Sequence, residues 1–376
     1  MQKDTGFSVR IYNLVKGLAE NGNDVKLIVP RYRATREIVE GVTVHGLKGL
    51  SPRAMLEVLK TIANVKRPTS LYFYDLLFIF RACRFIRMSD VVQIEQQPSG
   101  VFLIPLIRKI LKRPVIVDCH DVFQALRVKH TSALRRAIET FLEKLAYINA
   151  DLLLTVSNEE KRYLISTGFA KRKIEVIPNG VDTSFFSKSR ENKKTREEYG
   201  LQDSRIVVFV GNLDYLPNRE AIRILSSAIA PTVLDEVNGV KFLVIGKNQE
   251  KIELPRLVFT GHVNNVSDIL SISDVAVAPL FQGSGTRLKI LEYFSCGLPV
   301  VSTSVGAQGL AIEDGVNIFI EDDLRNFALR IIELLKNKNL STTVGKAARK
   351  LATSKYDWTQ IAQRLEIALN RLSSGN

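Results

Sequence analysis

The chain has 376 residues, which is enough for two domains of ordinary size and too few for three. Its 45% hydrophobic and 24% charged content excludes wholesale disorder, and its three cysteines, which form no CxxC pair, exclude a disulfide framework and a cysteine zinc site. The formal net charge of +14 is concentrated in residues 1–180, which carry 29 Lys and Arg against 17 Asp and Glu, so we expect an anionic partner, the alternative being a solvated basic surface.

The chain opens with a glycine turn and a helix. Asp4-Thr5-Gly6 has the composition of the turn that follows the first strand of a doubly wound domain, and residues 7–21 follow a helical pattern that Gly22 ends. No residues ahead of this turn could form a strand, so we expect an N-terminal domain whose first strand is missing. The lack of an N-terminal apolar segment predicts a cytoplasmic protein.

Short apolar runs then alternate with helical patterns along the whole chain. The predicted strands are 25–30, 90–97, 113–121, 152–157 and 173–180 in the first half, and 205–212, 240–246, 257–261, 275–280, 299–305 and 317–322 in the second. The predicted helices of the first half include 53–64, 100–112, 133–149 and 158–166. Continuous apolar strands suit parallel sheets that are buried on both faces. The alternation therefore predicts an α/β protein with two Rossmann-like doubly wound domains.

Residues 71–88 combine aromatic and aliphatic side chains with three arginines. Arg81, Arg84 and Arg87 form a basic stripe among Phe and Leu residues, which is typical of a helix that lies in a lipid interface. The segment is too interrupted by charge to span a membrane. It predicts contact with an anionic membrane surface, and the alternative is an ordinary helix packed on its own domain.

A change of composition marks the junction between the two halves. The segment 177–186 ends a strand and turns at Asn179-Gly180. The highly charged stretch 187–200 follows it and predicts an interdomain linker. We therefore expect an N-terminal Rossmann-like domain at 1–181 and a C-terminal Rossmann-like domain at 182–355. The amphipathic helix in 356–376 is expected to pack back on the first domain.

The strongest functional signal is a glycine-rich turn that leads into a helix within residues 281–310. The N-terminus of a helix binds phosphate through its free N–H groups and its dipole, and cationic side chains beside it suit a diphosphate. A carboxylate one turn further on can accept hydrogen bonds from sugar hydroxyls. The candidate residues are Ser284, Gly285, Thr286, Arg287, Lys289 and Glu292, with Ser304 at the end of the next strand. They predict a nucleotide-diphosphate site.

These motifs, in this order, resemble glycosyltransferase family 4, a group of retaining glycosyltransferases with the GT-B fold. The resemblance rests on 281–310 with its CGLPVV turn, on IPNGVD at 177–182, and on the segments 259–280 and 5–29. It implies that the domain at 1–181 binds the acceptor and the domain at 182–355 binds the donor. It also implies that the two domains face a central cleft and close on the donor. The implied reaction is transfer of a hexose from a nucleotide-diphosphate sugar to an acceptor hydroxyl of a glycan or lipid-linked substrate. It implies no cofactor, no metal and no nucleic-acid partner.

The resemblance also assigns roles in the donor site. Glu292 matches the second Glu of the family's pattern, which binds the donor ribose, whereas Ser284, eight residues earlier, stands where the family has its first Glu. The segment that begins at Gly211-Asn212, counted here with the donor-binding residues, lacks the Arg–Lys pair that the family uses on the donor phosphates. We therefore expect Arg287 and Lys289 to act as catalytic residues by stabilising the charge on the diphosphate.

Two further residues of the second half, Lys247 and Val263, fall where the family borders and packs the nucleotide base.

In the first half the resemblance points to the ends of strands, where doubly wound sheets bind ligands. His120 matches the family's catalytic-site histidine, and Gly6 matches a glycine that allows close approach to the donor diphosphate. Glu95, Gln96 and Asp121 are acceptor-side candidates. A rim position is the alternative for the first two, and a helix cap is the alternative for Asp121.

Two other functions remain open at this point. A nucleotide-sugar epimerase shares the two-domain fold and would form its product without an acceptor. A non-catalytic or degenerate GT-B protein would bind the donor without turnover. A Rossmann oxidoreductase is disfavoured because no GxGxxG follows a predicted strand.

Overall fold

The structure is a computed structural model that describes residues 6–31, 35–48, 76–95, 103–119, 133–187, 193–247, 251–283 and 288–374. The chain divides into two compact units. The first unit comprises Met1–Pro178 and Ala362–Asn376, and the second comprises Asn179–Ile361. Both units combine strands and helices in alternation, which agrees with the predicted α/β class.

The described strands of the first unit form two sheets. The strands are β1 (Lys26–Arg31), β2 (Thr35–Val39), β3 (Val42–Lys48), β4 (Val92–Glu95), β5 (Val115–Cys119), β6 (Leu152–Thr155) and β7 (Ile174–Val176). One sheet has the order β1-β3-β2, and the other has the order β4-β5-β6-β7 with parallel pairing throughout. The parallel sheet carries the ends of the strands on which the first-unit candidates were expected.

The hairpin of β2 and β3 was not predicted. β2 runs antiparallel to β3, while β1 is parallel to β3. The turn between β2 and β3 consists of Glu40 and Gly41, whose φ angles of 47° and 81° are both positive. Two positive φ angles in a two-residue loop match the twist of a hairpin. A glutamate at the first turn position gives little sign of this in the sequence.

The first unit carries one N-terminal helix and, along the chain after it, helices that cover one face of its parallel sheet. They are α1 (Gly6–Glu20), α2 (Leu76–Arg87), α3 (Leu103–Pro105, continued by a π-helical turn at Leu106–Ile110), α4 (Ala133–Asn149) and α5 (Asn158–Ser166). Alternate residues of β5 share a hydrophobic core with side chains from α2, α3, α4 and α5. The helices predicted at 133–149 and 158–166 are confirmed. The helix predicted at 53–64 lies outside the described residues, as do the residues before Gly6.

The second unit contains one six-stranded parallel sheet. Its strands are β8 (Arg205–Val210), β9 (Val240–Ile245), β10 (Leu257–Gly261), β11 (Val275–Ala278), β12 (Val300–Ser302) and β13 (Phe319–Ile320). Their order in the sheet is β10-β9-β8-β11-β12-β13. Neighbouring residues of β8 point into different cores, Val207 and Phe209 into one and Ile206 and Val208 into the other. The sheet is therefore buried on both faces, as its apolar strands predicted.

The helices of the second unit connect these strands. They are α6 (Lys193–Glu198), α7 (Leu216–Ile224, followed by a π-helical turn at Leu225–Ile229), α8 (Ala230–Glu236), α9 (Val266–Ser271), α10 (Leu288–Ser295), α11 (Leu324–Lys336) and α12 (Lys338–Leu351). The last helix, α13 (Trp358–Ser373), begins in the second unit, and its residues from Ala362 onwards belong to the first. Across the described ranges, no helix combines the length and the apolar character that crossing a bilayer requires.

The charged stretch that was expected to be a linker is part of the second unit. It contains α6, in which Thr195 is buried and Arg196 donates hydrogen bonds to the carbonyl oxygens of Ser204 and Ile272, each at 2.9 Å. A short charged helix and a linker have a similar composition, so the composition of this stretch could not show which of the two it forms. The chain passes between the units earlier, after Pro178.

Candidate functional site

The sheet of the second unit has a topological switch point between β8 and β11. From β8 the chain moves outward to β9 and β10, and then returns past β8 to β11 and β12. In open α/β sheets, ligands bind outside the carboxyl ends of the strands at such a point. Gly211 and Asn212 directly follow β8, and Phe281–Gly283 follow β11 and lead towards α10. The predicted donor residues Gly211 and Asn212 therefore lie at the end of a strand that borders this switch point.

The turn after β8 is closely packed at Gly211. The N–H of Gly211 donates to the carbonyl oxygen of Ile245 at 2.9 Å. A Cβ atom on Gly211 would lie 2.7 Å from Nδ2 of Asn218 and 2.9 Å from Nζ of Lys289. A Cβ atom on Gly246 would collide with the carbonyl oxygen of Gly211. We call the pair Gly211-Asn212 the glycine turn, because a side chain on its first residue would displace the groups around it.

Lys289 brings a positive charge to the glycine turn. Its Nζ atom donates to Oδ1 of Asn218 at 2.9 Å and lies 4.1 Å from the ring centroid of Phe209. Nδ2 of the same asparagine donates to the carbonyl oxygen of Asn212 at 2.8 Å. A side chain from the first turn of α10 is thus held beside the loop that follows β8. Backbone N–H groups and an ammonium group together can bind the oxygens of a diphosphate.

Glu292 lies one turn after Lys289 on α10 and is partly buried. Burial raises the pKa of its carboxyl group to about 7, and the charge of Lys289 acts in the opposite direction. The group therefore changes its ionisation around neutral pH. A carboxylate in this place can accept hydrogen bonds from hydroxyl groups, and a protonated carboxyl accepts them less well.

Tyr293 joins α10 to the end of β8 through a hydrogen bond. Its hydroxyl oxygen accepts a hydrogen bond from the N–H of Val210 at 2.7 Å, and its side chain is fully buried. Burial raises the pKa of the phenol well above its usual range, so the hydroxyl stays neutral. This contact fixes the spacing between the strand end and the helix that carries Lys289.

The other predicted residues of the second unit follow neighbouring strands at the same edge of the sheet. Lys247 follows β9, is exposed, and its carbonyl oxygen accepts from the N–H of Leu213 at 2.9 Å, which joins it to the loop after β8. Val263 follows β10 and packs, half-buried, against a core of this unit. Ser304 follows β12, is exposed, and its N–H donates to Asp322. The candidates Ser284, Gly285, Thr286 and Arg287 lie outside the described residues.

In the first unit the structure places two of the predicted residues. Gly6 begins α1, and Glu95 ends β4, where its carboxylate accepts a hydrogen bond from Nε2 of Gln93 at 3.0 Å. β5 ends at Cys119, the residue before His120. His120, Asp121 and Gln96 lie outside the described residues.

A buried ion pair near the end of β5 was missed by the sequence reasoning. The guanidinium of Arg10 in α1 donates two hydrogen bonds to the carboxylate of Asp118, both at 2.9 Å, and a third to the carbonyl oxygen of Pro178 at 3.0 Å. Both side chains are almost wholly buried. An aspartate inside the apolar run VIVDC was the available signal, because a buried charge needs a partner.

Asn218 was missed as well, and its sequence context explains why. Asparagine near the start of a helix usually serves as a cap. Here it lies inside the first turn of α7 and links the glycine turn to α10. Within the described parts of the chain, no group of three or more His, Cys, Asp or Glu side chains could hold a metal ion.

Two family models match the chain, one in each half. A model described as glycosyltransferase family 4 matches residues 5–185, and one described as glycosyl transferases group 1 matches residues 204–337. An uncharacterised glycosyltransferase of Methanocaldococcus jannaschii is 22% identical over 284 residues, which cover 72% of this chain and 71% of the relative. Chitobiosyldiphosphodolichol beta-mannosyltransferase of Candida albicans is 24% identical over 310 residues, which cover 73% of this chain and 67% of the relative.

Solved structures share the fold of the whole chain. The crystal structure of Anabaena HepE in complex with UDP matches with a TM-score of 0.72 at 16% identity and covers 99% of this chain and 98% of that chain. An identity this low speaks for the fold alone. The two-domain, Rossmann-like GT-B fold predicted from the sequence is confirmed.

Proposed function

The chain belongs to the group 1 glycosyltransferases of the GT-B fold, with a family 4-like first half, and from this premise we propose that it is a retaining hexosyltransferase. The donor in this proposal is a nucleotide-diphosphate sugar, and the acceptor is a hydroxyl group of a glycan or a lipid-linked substrate. The observation that carries the proposal is the contact of Lys289 with the glycine turn at the switch point of the second unit.

The chemistry of this site suits a leaving diphosphate. As the bond between the sugar and the diphosphate breaks, negative charge grows on the diphosphate oxygens. Lys289 and the N–H of Asn212 can stabilise that charge, and Glu292 can accept hydrogen bonds from the donor ribose. In a retaining transfer of this type the departing diphosphate helps to orient or deprotonate the acceptor hydroxyl. We also assign Arg287 and His120 catalytic roles, on the resemblance alone.

Two similar proteins support the proposed donor and the proposed acceptor. HepE was crystallised with UDP, and the mannosyltransferase of Candida albicans is named for a diphosphodolichol acceptor. We propose that the transfer needs no metal and no cofactor, because cationic side chains can neutralise the diphosphate. Activity that is lost with a chelator and restored by a divalent cation would contradict this part.

A panel of nucleotide sugars, read by the shift in melting temperature, tests the donor assignment. Binding to the folded state raises stability by an amount set by affinity and concentration, so the correct donor should raise the melting temperature most. Product analysis by NMR then reads the configuration at the anomeric carbon, and retention is expected. If the donor is converted to a new sugar nucleotide without any acceptor, the protein is an epimerase and the proposal fails.

We further propose that the first unit contacts an anionic membrane surface from the cytoplasmic side. Helices α2 and α4 and the turn after α3 pack on the same sheet face, so their outer sides belong to one surface, which we call the basic-apolar face. Its large apolar side chains are Phe80, Ile110, Phe141 and Ile148, which are 79%, 68%, 65% and 61% exposed. Its exposed basic residues are Arg84, Arg87, Lys109 and Lys144.

This face combines the two features that attract a protein to anionic lipid, apolar side chains to bury and positive charge around them. α2 itself packs on its own unit through Ala82 and Ile86, so it contributes its outer side alone. Replacing Phe141 and Ile148 together with Ser should weaken binding to anionic vesicles at least tenfold, since each buried side chain contributes about 1.5–3 kcal/mol. Leu329→Ser, on an exposed helix side of the second unit, is the control. Equal binding by all variants, or equal retention by neutral vesicles, would refute the membrane proposal.

A further inference from the structure

Asn218 occupies the space between the two parts of the proposed donor site. It lies in the first turn of α7, is buried, and its backbone N–H donates to the carbonyl oxygen of Tyr215 at 3.0 Å. Its amide group makes one contact on each side, donating to the carbonyl oxygen of Asn212 at 2.8 Å and accepting from Nζ of Lys289 at 2.9 Å. The residue therefore bridges the glycine turn and the ammonium group.

An amide is the group that these two contacts require. A carbonyl oxygen needs a hydrogen-bond donor and an ammonium group needs an acceptor, so the bridging side chain must provide both a donor and an acceptor. Aspartate could accept from the ammonium group, but it would place a carboxylate against the carbonyl oxygen of Asn212. An aliphatic side chain could make neither contact. The position of Asn218 against Gly211 leaves no space for a Cβ atom there, so the bridge is packed as well as bonded.

We propose that Asn218 is a positioning residue of the donor site, which holds the ammonium group of Lys289 against the glycine turn so that it meets the donor diphosphate. The inference rests on the proposed function, since it assigns the reason for which the lysine is held. Lysine has a long and flexible side chain, and fixing it before the ligand arrives removes part of the entropic cost of binding.

The neighbouring carboxyl group provides a readout that is specific to this role. Among the described residues of all elements, Lys289 is the charged group that acts on the pKa of Glu292, and the adjoining Tyr293 has a neutral phenol. The ammonium group lowers the pKa of Glu292, which burial has raised to about 7. If Asn218 holds that charge in place, its removal lets the pKa of Glu292 rise further. UDP binding that depends on the Glu292 carboxylate should then have its pH midpoint moved to higher pH.

The experiment measures UDP binding to the full chain by calorimetry at mildly acidic, neutral and mildly alkaline pH. Asn218→Ala should weaken binding about tenfold, and Lys289→Met about tenfold to a hundredfold, because hydrogen bonds to charged groups have this weight. The double variant should bind like Lys289→Met alone within about twofold, because the asparagine acts through the lysine. Both single variants should move the pH midpoint upward.

A structural asparagine elsewhere in the unit serves as the matched control. Asn337 caps α12, accepting from the N–H of Leu340 at 3.0 Å, and Asn337→Ala should leave UDP affinity and its pH midpoint unchanged. Losses that multiply in the double variant, or an unmoved midpoint in Asn218→Ala, would overturn the inference. If Lys289→Met binds UDP as tightly as the parent chain does, the proposed function itself is refuted.

A second variant covers the case in which Asn218→Ala does not fold. Asn218→Asp keeps the size of the side chain and pairs with the ammonium group, so its charge is neutralised where the diphosphate should bind. UDP affinity should fall at least as far as in Asn218→Ala, while the circular dichroism of the folded protein is retained. A folded Asn218→Asp protein that binds UDP as the parent does would overturn the positioning role.

Discussion

Two regions of the molecule place a cationic side chain near the end of a central parallel strand, and they use it differently. In the first unit, Arg10 is enclosed and its guanidinium is matched by both oxygens of Asp118. In the second unit, Lys289 is half-buried beside a glycine turn, and its contacts include the neutral amide of Asn218 and the ring of Phe209. A charge that is enclosed with its counter-charge stabilises the fold. We propose that the charge of Lys289, held beside a glycine turn at a strand end, acts on a ligand.

The buried pair should give the largest change in stability. Arg10→Met leaves the carboxylate of Asp118 buried without its counter-charge, which should lower the free energy of unfolding by about 3–5 kcal/mol. Denaturant titration measures the loss. Arg371→Met is the control, because Arg371 and Glu175 form an exposed pair at 3.9 Å and such pairs contribute about 0–1 kcal/mol. Equal losses in the two variants would erase the contrast between an enclosed and an exposed charge.

Lys289 should give the largest change in catalysis. Lys289→Met removes a group that stabilises the departing diphosphate, so kcat/KM should fall about a hundredfold to a thousandfold. Steady-state kinetics with the donor identified by the panel gives the value. Lys241→Met, which removes an exposed lysine of β9, should retain the parent activity. A small effect on activity together with a large effect on unfolding would make Lys289 a second structural charge.

The ionised carboxyl group of Glu292 should lower the stability of the folded chain and, at the same time, strengthen the binding of UDP. Folding raises the pKa of its carboxyl group from the ordinary value to about 7, so between these two values the folded state holds a proton that the unfolded state has released. The unfolding free energy therefore falls as pH rises through this window.

Replacing this residue should remove that dependence. Glu292→Gln should raise the unfolding free energy by up to about 3 kcal/mol at mildly alkaline pH and leave it unchanged in acid. The same variant should bind UDP more weakly. Glu253→Gln, which alters an exposed carboxylate, should change neither property. Destabilisation of Glu292→Gln at alkaline pH would show that the carboxylate has a partner that favours its charge.

Tyr293 should give the smallest effect and sharpen the division of roles. Tyr293→Phe removes the acceptor of the Val210 N–H, which should cost about 1–2 kcal/mol of unfolding free energy. The bridge from Asn218 to Lys289 is untouched, so UDP affinity should change less than about twofold. Calorimetry and denaturant titration on the same sample separate the two quantities. A large loss of UDP affinity would give the phenol a part in the site itself.

The sequence predicted the second unit better than the first for a physical reason. Its strands are continuous apolar runs because the sheet is covered on both faces, and such runs are visible without a partner. The hairpin of β2 and β3 has mixed polarity and turns at Glu40-Gly41, a pair that rarely announces a hairpin. A charged helix and a linker have the same composition, so the sequence could not distinguish α6 from the linker that was expected at 187–200.

The candidate site divides in the same way. Lys289 and Glu292 could be proposed from the sequence because a glycine-rich turn, a cation and a carboxylate follow one another within residues 281–310. Asn218 and the pair of Arg10 and Asp118 could not, because their roles depend on partners that are distant in sequence. Contacts across 71 and 108 positions are created by the fold and leave no local pattern.

A crystal structure of the chain with UDP tests the central claim most directly. We predict that the diphosphate lies at the switch point of the second unit, with an oxygen within hydrogen-bonding distance of Nζ of Lys289 and another at the N–H of Asn212. A nucleotide bound elsewhere, with its diphosphate away from Lys289, would contradict it.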